Sequence, residues 1–128
     1  MSKKIITTEK APAAVGPYSQ AVIHRGTAYL SGQIPIDPAT GQIVEGDIEA
    51  QTERVLENLK GLLEACGATL DDVLKVTVYL RDMGEFARMN EVFRRYFSQS
   101  PPARATIEAA RLPREARIEI DAIVAVPD

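Results

Sequence analysis

The chain has no tryptophan, one cysteine (Cys66) and one histidine (His24), and these shortages remove several kinds of chemistry. A single cysteine rules out an intrachain disulfide and suits a reducing compartment. One His and one Cys cannot assemble a structural zinc site from the usual ligands within one chain. A Cys–His nucleophilic pair would need these two to meet in space, for which the sequence gives no reason. Cys66 falls on the apolar stripe of a helix, where a buried, inert thiol is expected. Metal-ligand motifs, phosphate loops and dinucleotide fingerprints are missing, so neither metal nor cofactor is expected. The net charge is −3 and no basic run occurs, so the electrostatic footprint of a nucleic-acid binder is lacking. Arg94, Arg95, Arg111, Arg114 and Arg117 are expected to be solvated or ion-paired at the surface. Long apolar runs are lacking too. The basic start Met1–Lys4 leads into polar residues from Thr7 to Lys10, so neither a secretory signal nor a membrane partner is expected, and the cytoplasm is the expected compartment.

What is present suits one domain over residues 1–128, with 45% hydrophobic and 26% charged residues and enough chain to bury a core unaided. No repeat, linker or low-complexity tract interrupts it. Ala21–His24 and Thr27–Gln33 read as strands joined by a tight turn at Arg25-Gly26. Pro35, Pro38 and Gly41 then punctuate an irregular loop. Asp47 is a candidate N-cap for a helix whose stripe runs Ile48, Val55, Leu56, Leu59, Leu62, Leu63 and Cys66, with Gly67 as its stop. Val73–Leu80 alternates, with Val76, Val78 and Leu80 opposite Lys75, Thr77 and Tyr79. Asp82 and Glu85 have the spacing of a capping box ahead of a second stripe, Phe86, Met89, Phe93, Tyr96 and Phe97.

Two further strands are predicted at about Ala103–Ala109 and Arg117–Val126, giving the order ββ-α-β-α-β-β of an α+β fold. Two helices cover only one face of a sheet of about six strands. Along the last strand Ile118, Ile120, Ala122, Val124 and Val126 share one face, yet Ile123 and Ala125 make the other apolar as well. Such a strand is expected to be buried on both sides, which points to an oligomer.

The most informative segment is Pro101–Ile120. Pro101 and Pro102 mark a sharp boundary. Beyond it Ala103, Ala105 and Ile107 point one way while Arg104, Thr106 and Glu108 point the other. Arg104 keeps its charge and offers a planar fork that matches a carboxylate. Pairing with an acid of its own fold is the alternative. Glu119 faces away from Ile118 and Ile120, and partial burial would raise its pKa above about 4.3, improving it as a proton acceptor near neutrality. Pairing with Arg117 or Arg111 is the alternative for Glu119.

Pro102-Ala103-Arg104 before an apolar strand, the Leu112-Pro113 turn and Ile118-Glu119-Ile120 together resemble the signature of the RidA (YjgF) family. Gly16-Pro17-Tyr18-Ser19-Gln20-Ala21, Ser31-Gly32-Gln33-Ile34-Pro35 and Asn90-Glu91-Val92-Phe93 match further family segments in the same order, so the similarity covers nearly the whole chain. The resemblance implies a chorismate-mutase-like α+β subunit with a six-stranded mixed sheet and two helices on one face. It implies a homotrimer with sheets inward and active-site clefts at the subunit contacts. It also implies that the final strand lies between the second and third long strands, although the short Ala110–Glu115 connection tempts a hairpin.

The activity implied is that of a 2-iminobutanoate/2-iminopropanoate deaminase: hydrolysis of enamine and imine intermediates, such as 2-aminoacrylate, to 2-oxo acids and ammonia without metal or cofactor. Carried over residue by residue, Arg104, Glu119 and Tyr18 are the catalytic candidates. Arg104, Ser31, Gly32, Asn90 and Thr106 are the substrate-binding ones. Arg104 would clamp the carboxylate, and Glu119 would activate water and return a proton to the leaving amine. The Tyr18 and Ser31 hydroxyls would donate to developing charge or to the water, and Gly32 would let backbone approach the ligand. Tyr18 and Ser31 could instead satisfy backbone groups in turns, and Asn90 could face solvent. Many members carry cysteine two residues after the arginine. Thr106 stands there instead, which excludes an essential thiol nucleophile but leaves hydrolysis by water intact. A non-catalytic protein binding 2-oxo acids in the same clefts is the competing reading. An RNase or translation inhibitor, roles attached to relatives, is disfavoured by the acidic charge balance.

Overall fold

Alternating and helical patterns resolve into a layered α+β arrangement in the computed structural model, which describes residues 2–127. In chain order the elements are β1 (Lys4–Ile6), β2 (Ala21–His24), β3 (Thr27–Gln33), β4 (Ile36–Asp37), β5 (Gln42–Ile43), α1 (Ile48–Cys66), β6 (Val73–Leu80), α2 (Phe86–Tyr96), β7 (Ala103–Glu108) and β8 (Ile118–Ala125). The main sheet runs β1-β2-β3-β8-β6-β7. Only β6 and β7 are parallel. That pairing requires a crossover, which α2 supplies. Because β8 is antiparallel to both β3 and β6, the last strand inserts between them. No β7–β8 hairpin forms.

The boundaries follow local chemistry. Arg25 and Gly26 both have positive φ (52° and 78°), the backbone that a two-residue hairpin turn requires. Asp47 Oδ1 accepts the Ala50 N–H at 3.0 Å, and Gly67 ends α1 in the left-handed region at φ 76°, where glycine carries no Cβ penalty. Three expectations need correction. The Pro35–Gly41 loop contains β4, which pairs with β5 just beyond it, both strands too short for alternation to reveal. β1 was not anticipated, being only three residues beside polar sequence. Asp82 caps a single 3₁₀ turn through Gly84 N–H (2.8 Å), so α2 starts later, at Phe86, and the spacing of Asp82 and Glu85 forms no capping box.

The core lies between the sheet and the two helices. Ile118, Ile120, Ala122 and Val124 of β8 are buried against α1, with Val76, Val78 and Leu80 beside them. On the uncovered face Ile123 remains 37% exposed and Tyr29 48%. They are cross-strand partners, so the apolar second face of β8 faces outward in the single chain.

Candidate functional site

Glu119 belongs to this uncovered face. It is the cross-strand partner of Tyr79, as Asp121 is of Thr77. β3 approaches it through a bulge. Leu30 pairs with Ala122 and Gln33 with Ile120, so Ser31 and Gly32 together oppose Asp121, the two-against-one count that bends a strand and re-aims its side chains. The Glu119 carboxylate fills the space over Gly32. A Cβ built on Gly32 would lie 2.9 Å from Glu119 Cδ and 3.1 Å from its Cγ, and would collide with Oε2. Gly32 therefore makes room for the side chain of Glu119 itself, not only for a ligand.

Glu119 has neither of its alternative partners. Arg117 pairs with Glu85 at 3.1 Å and Arg111 with Glu115 at 2.6 Å. Burial, reinforced by the like charge of Asp121, pushes the Glu119 carboxyl above the ordinary carboxylate range. Desolvation without a compensating cation is the arrangement that makes a carboxylate more basic. Beside it the Tyr79 hydroxyl donates to Asp121 Oδ2 at 3.0 Å. Burial, followed by that bond, raises the Tyr79 pKa, so Tyr79 stays protonated. Tyr79 and Asp121 were not singled out from sequence, although the alternations Thr77/Tyr79 and Glu119/Asp121 were the available signal.

Glu119, Gly32, Ser31 and Tyr18 line one cavity of about 570 Å³. Tyr18 is half exposed, and its hydroxyl accepts only a long 3.4 Å bond from Val15 N–H, leaving its proton available. Ser31 takes the alternative its sequence left open, satisfying a backbone group. Its hydroxyl donates to the Ser19 carbonyl at 2.6 Å, so that proton is committed and its oxygen is left to accept.

Buried amides shape the walls. Gln20 Nε2 donates to the Thr8 and Pro12 carbonyls (3.0 and 2.8 Å) while Oε1 accepts Thr8 N–H. Asn58 donates to the Ile34 and Ile36 carbonyls (3.3 and 2.9 Å). Gln51 ties the Val44 carbonyl to Arg117 N–H. The sequence signal for Gln51 and Asn58 was polar residues at apolar-stripe spacing with Val55 and Leu62.

Arg104 lies on the opposite face of the sheet. Its cross-strand partner is Val76, which is buried toward the helices, and its Nη1 donates to Asn90 Oδ1 of α2 at 2.8 Å. The guanidinium carbon is 4.8 Å from the Phe93 ring centre and 5.5 Å from that of Phe86, within cation–π range. Among the described residues no carboxylate forms an ion pair with it, so the alternative of pairing within its own fold is not what is observed. Burial lowers its pKa, yet a guanidinium remains protonated at any pH a protein meets. Arg104 and Asn90, with Phe93, Phe97, Pro101 and Pro102, border a second cavity of about 440 Å³. Thr106 follows two residues along the same face.

The predicted residues thus form two groups within one chain. Tyr18, Ser31, Gly32 and Glu119 meet on one side of the sheet. Arg104, Asn90 and Thr106 collect on the other. A cleft containing all seven is not formed by a single copy. Among the described residues no cluster of His, Cys, Asp or Glu could hold a metal ion, and no helix is long and apolar enough to cross a membrane.

Comparison with known proteins adds to this geometry. Residues 8–126 match the family model described as Endoribonuclease L-PSP. A RutC family protein of Pyrococcus abyssi is 56% identical over 96% of this chain and 97% of its own length. The 2-iminobutanoate/2-iminopropanoate deaminase of Mus musculus is 48% identical, covering 94% of this chain and 90% of its own. The crystal structure of E. coli TdcF with bound serine has a TM-score of 0.91 at 40% identity, covering 95% of this chain and 98% of its own. A match spanning nearly every element, with the same sheet and helices, leaves one assignment: the chain belongs to the Endoribonuclease L-PSP family, the YjgF/RidA proteins.

Proposed function

We propose that the protein is a 2-iminobutanoate/2-iminopropanoate deaminase whose catalytic clefts form between neighbouring copies of a homotrimer in the cytoplasm. The observation that carries this reading is the unpaired, desolvated Glu119 carboxylate held over Gly32 in a cavity. Arg104 is an equally unpaired cation on the far face. A closed ring brings two different patches of one subunit type into contact, one from each neighbour, which would unite the Arg104 group of one copy with the Glu119 group of the next. The apolar Ile123 and Tyr29 face gives such a contact something to bury.

The balanced reaction is R–C(=NH)–COO⁻ + H₂O → R–CO–COO⁻ + NH₃. Arg104 fixes the substrate carboxylate through the free part of its fork, with Asn90 holding its orientation. Glu119 takes a proton from water as the oxygen bonds to C2 and the C=N π pair moves to nitrogen. The same carboxyl returns that proton to nitrogen, giving the carbinolamine. It then takes the hydroxyl proton and passes it to the amino group, so that ammonia leaves as the C–N bond breaks and the carbonyl forms. The Tyr18 proton donates to the charge that develops on the way. Proton transfer by a positioned group contributes roughly 100- to 10,000-fold. The mouse relative's name and the serine bound to TdcF, an α-amino carboxylate, support a substrate of this class.

Subunit complementation tests this directly. Arg104→Ala and Glu119→Gln should each abolish turnover of 2-iminopropanoate, while refolding the two together should restore activity to about a quarter of clefts by random assembly. Normal turnover by Arg104→Ala would remove the carboxylate clamp. No recovery on mixing two separately inactive, assembled variants would remove the shared cleft. Glu119→Gln that retains ligand affinity but not turnover separates catalysis from mere carboxylate binding.

A further inference from the structure

The cavity that holds Glu119 is larger than a two- or three-carbon imine needs. At about 570 Å³ it falls in the range of roughly 300–1,000 Å³ typical of sites for larger ligands. Much of its wall beyond Glu119 is apolar, with Val15, Ile34, Ile36 and Pro113 beside the polar Gln20 and Gln33, and Arg114 borders the same space. Arg114 is exposed at the edge of this space, the surface position its sequence context implied, but it also makes a fixed contact. Its Nη1 donates to the Gly41 carbonyl at 3.0 Å, which ties the turn before β8 to the β4–β5 ribbon. Among the described residues it forms no ion pair, while Arg111 and Arg117 on either side are both paired. Its backbone is unusual as well: Arg114 and Glu115 both occupy the left-handed region, at φ 56° and 59°. Such conformations in residues with side chains cost energy and collect where a site needs a group aimed in a fixed direction. Burial and Asp121 govern the Glu119 carboxyl, so the Arg114 charge stands apart from it within the cavity.

An aliphatic wall ending in an unpaired cation fits a ligand with a short carbon chain and a terminal anion. We infer that Arg114 is a specificity-determining residue that selects substrates bearing a second carboxylate, the 2-imino dicarboxylic acids. This rests on the deaminase reading of the site: Arg104 would take the α-carboxylate, Glu119 the water, and Arg114 the carboxylate at the end of the side chain. Because the Arg114 side chain is exposed, a charge-assisted bond to it is worth roughly two- to fivefold in affinity.

Two measurements decide it. The first is binding of 2-oxoglutarate against 2-oxobutanoate, by calorimetry, to the wild-type protein and to Arg114→Met and Arg114→Lys. The expected result is a roughly two- to fivefold preference for the dicarboxylate in the wild type. Arg114→Met should lose most of that preference and Arg114→Lys should keep much of it. The second is the ratio of kcat/KM for the imines that an amino-acid oxidase makes from L-glutamate and from 2-aminobutanoate, which should fall by a similar factor in Arg114→Met. Equal affinity for both acids in the wild type overturns the inference. So does an unchanged ratio in Arg114→Met, or an equal loss for both ligands with a lower melting temperature, which marks a purely structural clip to Gly41. If no imine is turned over at all, the deaminase reading fails, and the binding ratio still decides the role of Arg114.

Discussion

Replacing Gly32 with alanine tests the central geometry with a single methyl group. The new Cβ would stand 2.9 Å from Glu119 Cδ and 3.1 Å from Cγ, and would overlap Oε2, so one of them must move. The backbone of β3 is fixed by its pairing to β8 on either side of the bulge, whereas the Glu119 side chain is free beyond its Cβ. The carboxylate therefore gives way, swinging off its rotamer or out of the cavity. An off-rotamer side chain costs about 0.5–1.5 kcal/mol, which for a domain of this size lowers the melting temperature by roughly 2–8 °C. A catalytic group displaced by about 1 Å costs on the order of 100-fold in rate. The expected Gly32→Ala protein is folded, slightly less stable, and down about 100-fold in kcat/KM for 2-iminopropanoate in an oxidase-coupled assay. Its acid limb should also shift to lower pH as Glu119 regains solvent. Wild-type turnover with an unshifted pH profile would refute the claim that Gly32 exists to seat this carboxylate.

Other consequences follow from the same contacts. Because burial holds the folded-state pKa of Glu119 above its unfolded value, the native state binds the extra proton, and stability falls as pH rises between the two values. Glu119→Gln removes that loss, so denaturation followed across pH should find it at least as stable as wild type above the raised pKa while inactive. Activity, which needs the ionised form, should decline on the acid side at a pH higher than an ordinary glutamate would give. Gly61→Ala should destabilise α1 even though alanine is the better helix former by about 1 kcal/mol, because its Cβ would lie 2.8 Å from the Lys10 carbonyl carbon; a net loss of about 1–3 kcal/mol in urea unfolding is expected, and a gain would contradict it. Asn58→Ala leaves the Ile34 and Ile36 carbonyls without their donor and should cost roughly 2–4 kcal/mol, while raising KM through the loosened cavity wall.

Much of this molecule was legible in one dimension because local physics fixes local structure. Asp47 and Gly67 bracket α1, Arg25-Gly26 folds back β2 on β3, and the alternation in β8 sets Ile118 and Ile120 inward and Glu119 outward. Each of these depends on residues at most a few positions apart. The family likewise declares itself through motifs that survive as linear strings. What only the tertiary structure decided involves pairs distant in sequence: the insertion of β8 between β3 and β6, the Glu119 carboxylate over Gly32, and the donation of the Ser31 proton to Ser19. The division of the predicted site between two faces of the sheet belongs here too. Alternation assigns Arg104 and Glu119 a face within their own strands, but relating those faces requires the register through β6, where Val76 meets both Arg104 and Ala122. Strand pairing is a non-local choice made by burial of the whole core, so no short window of residues contains it.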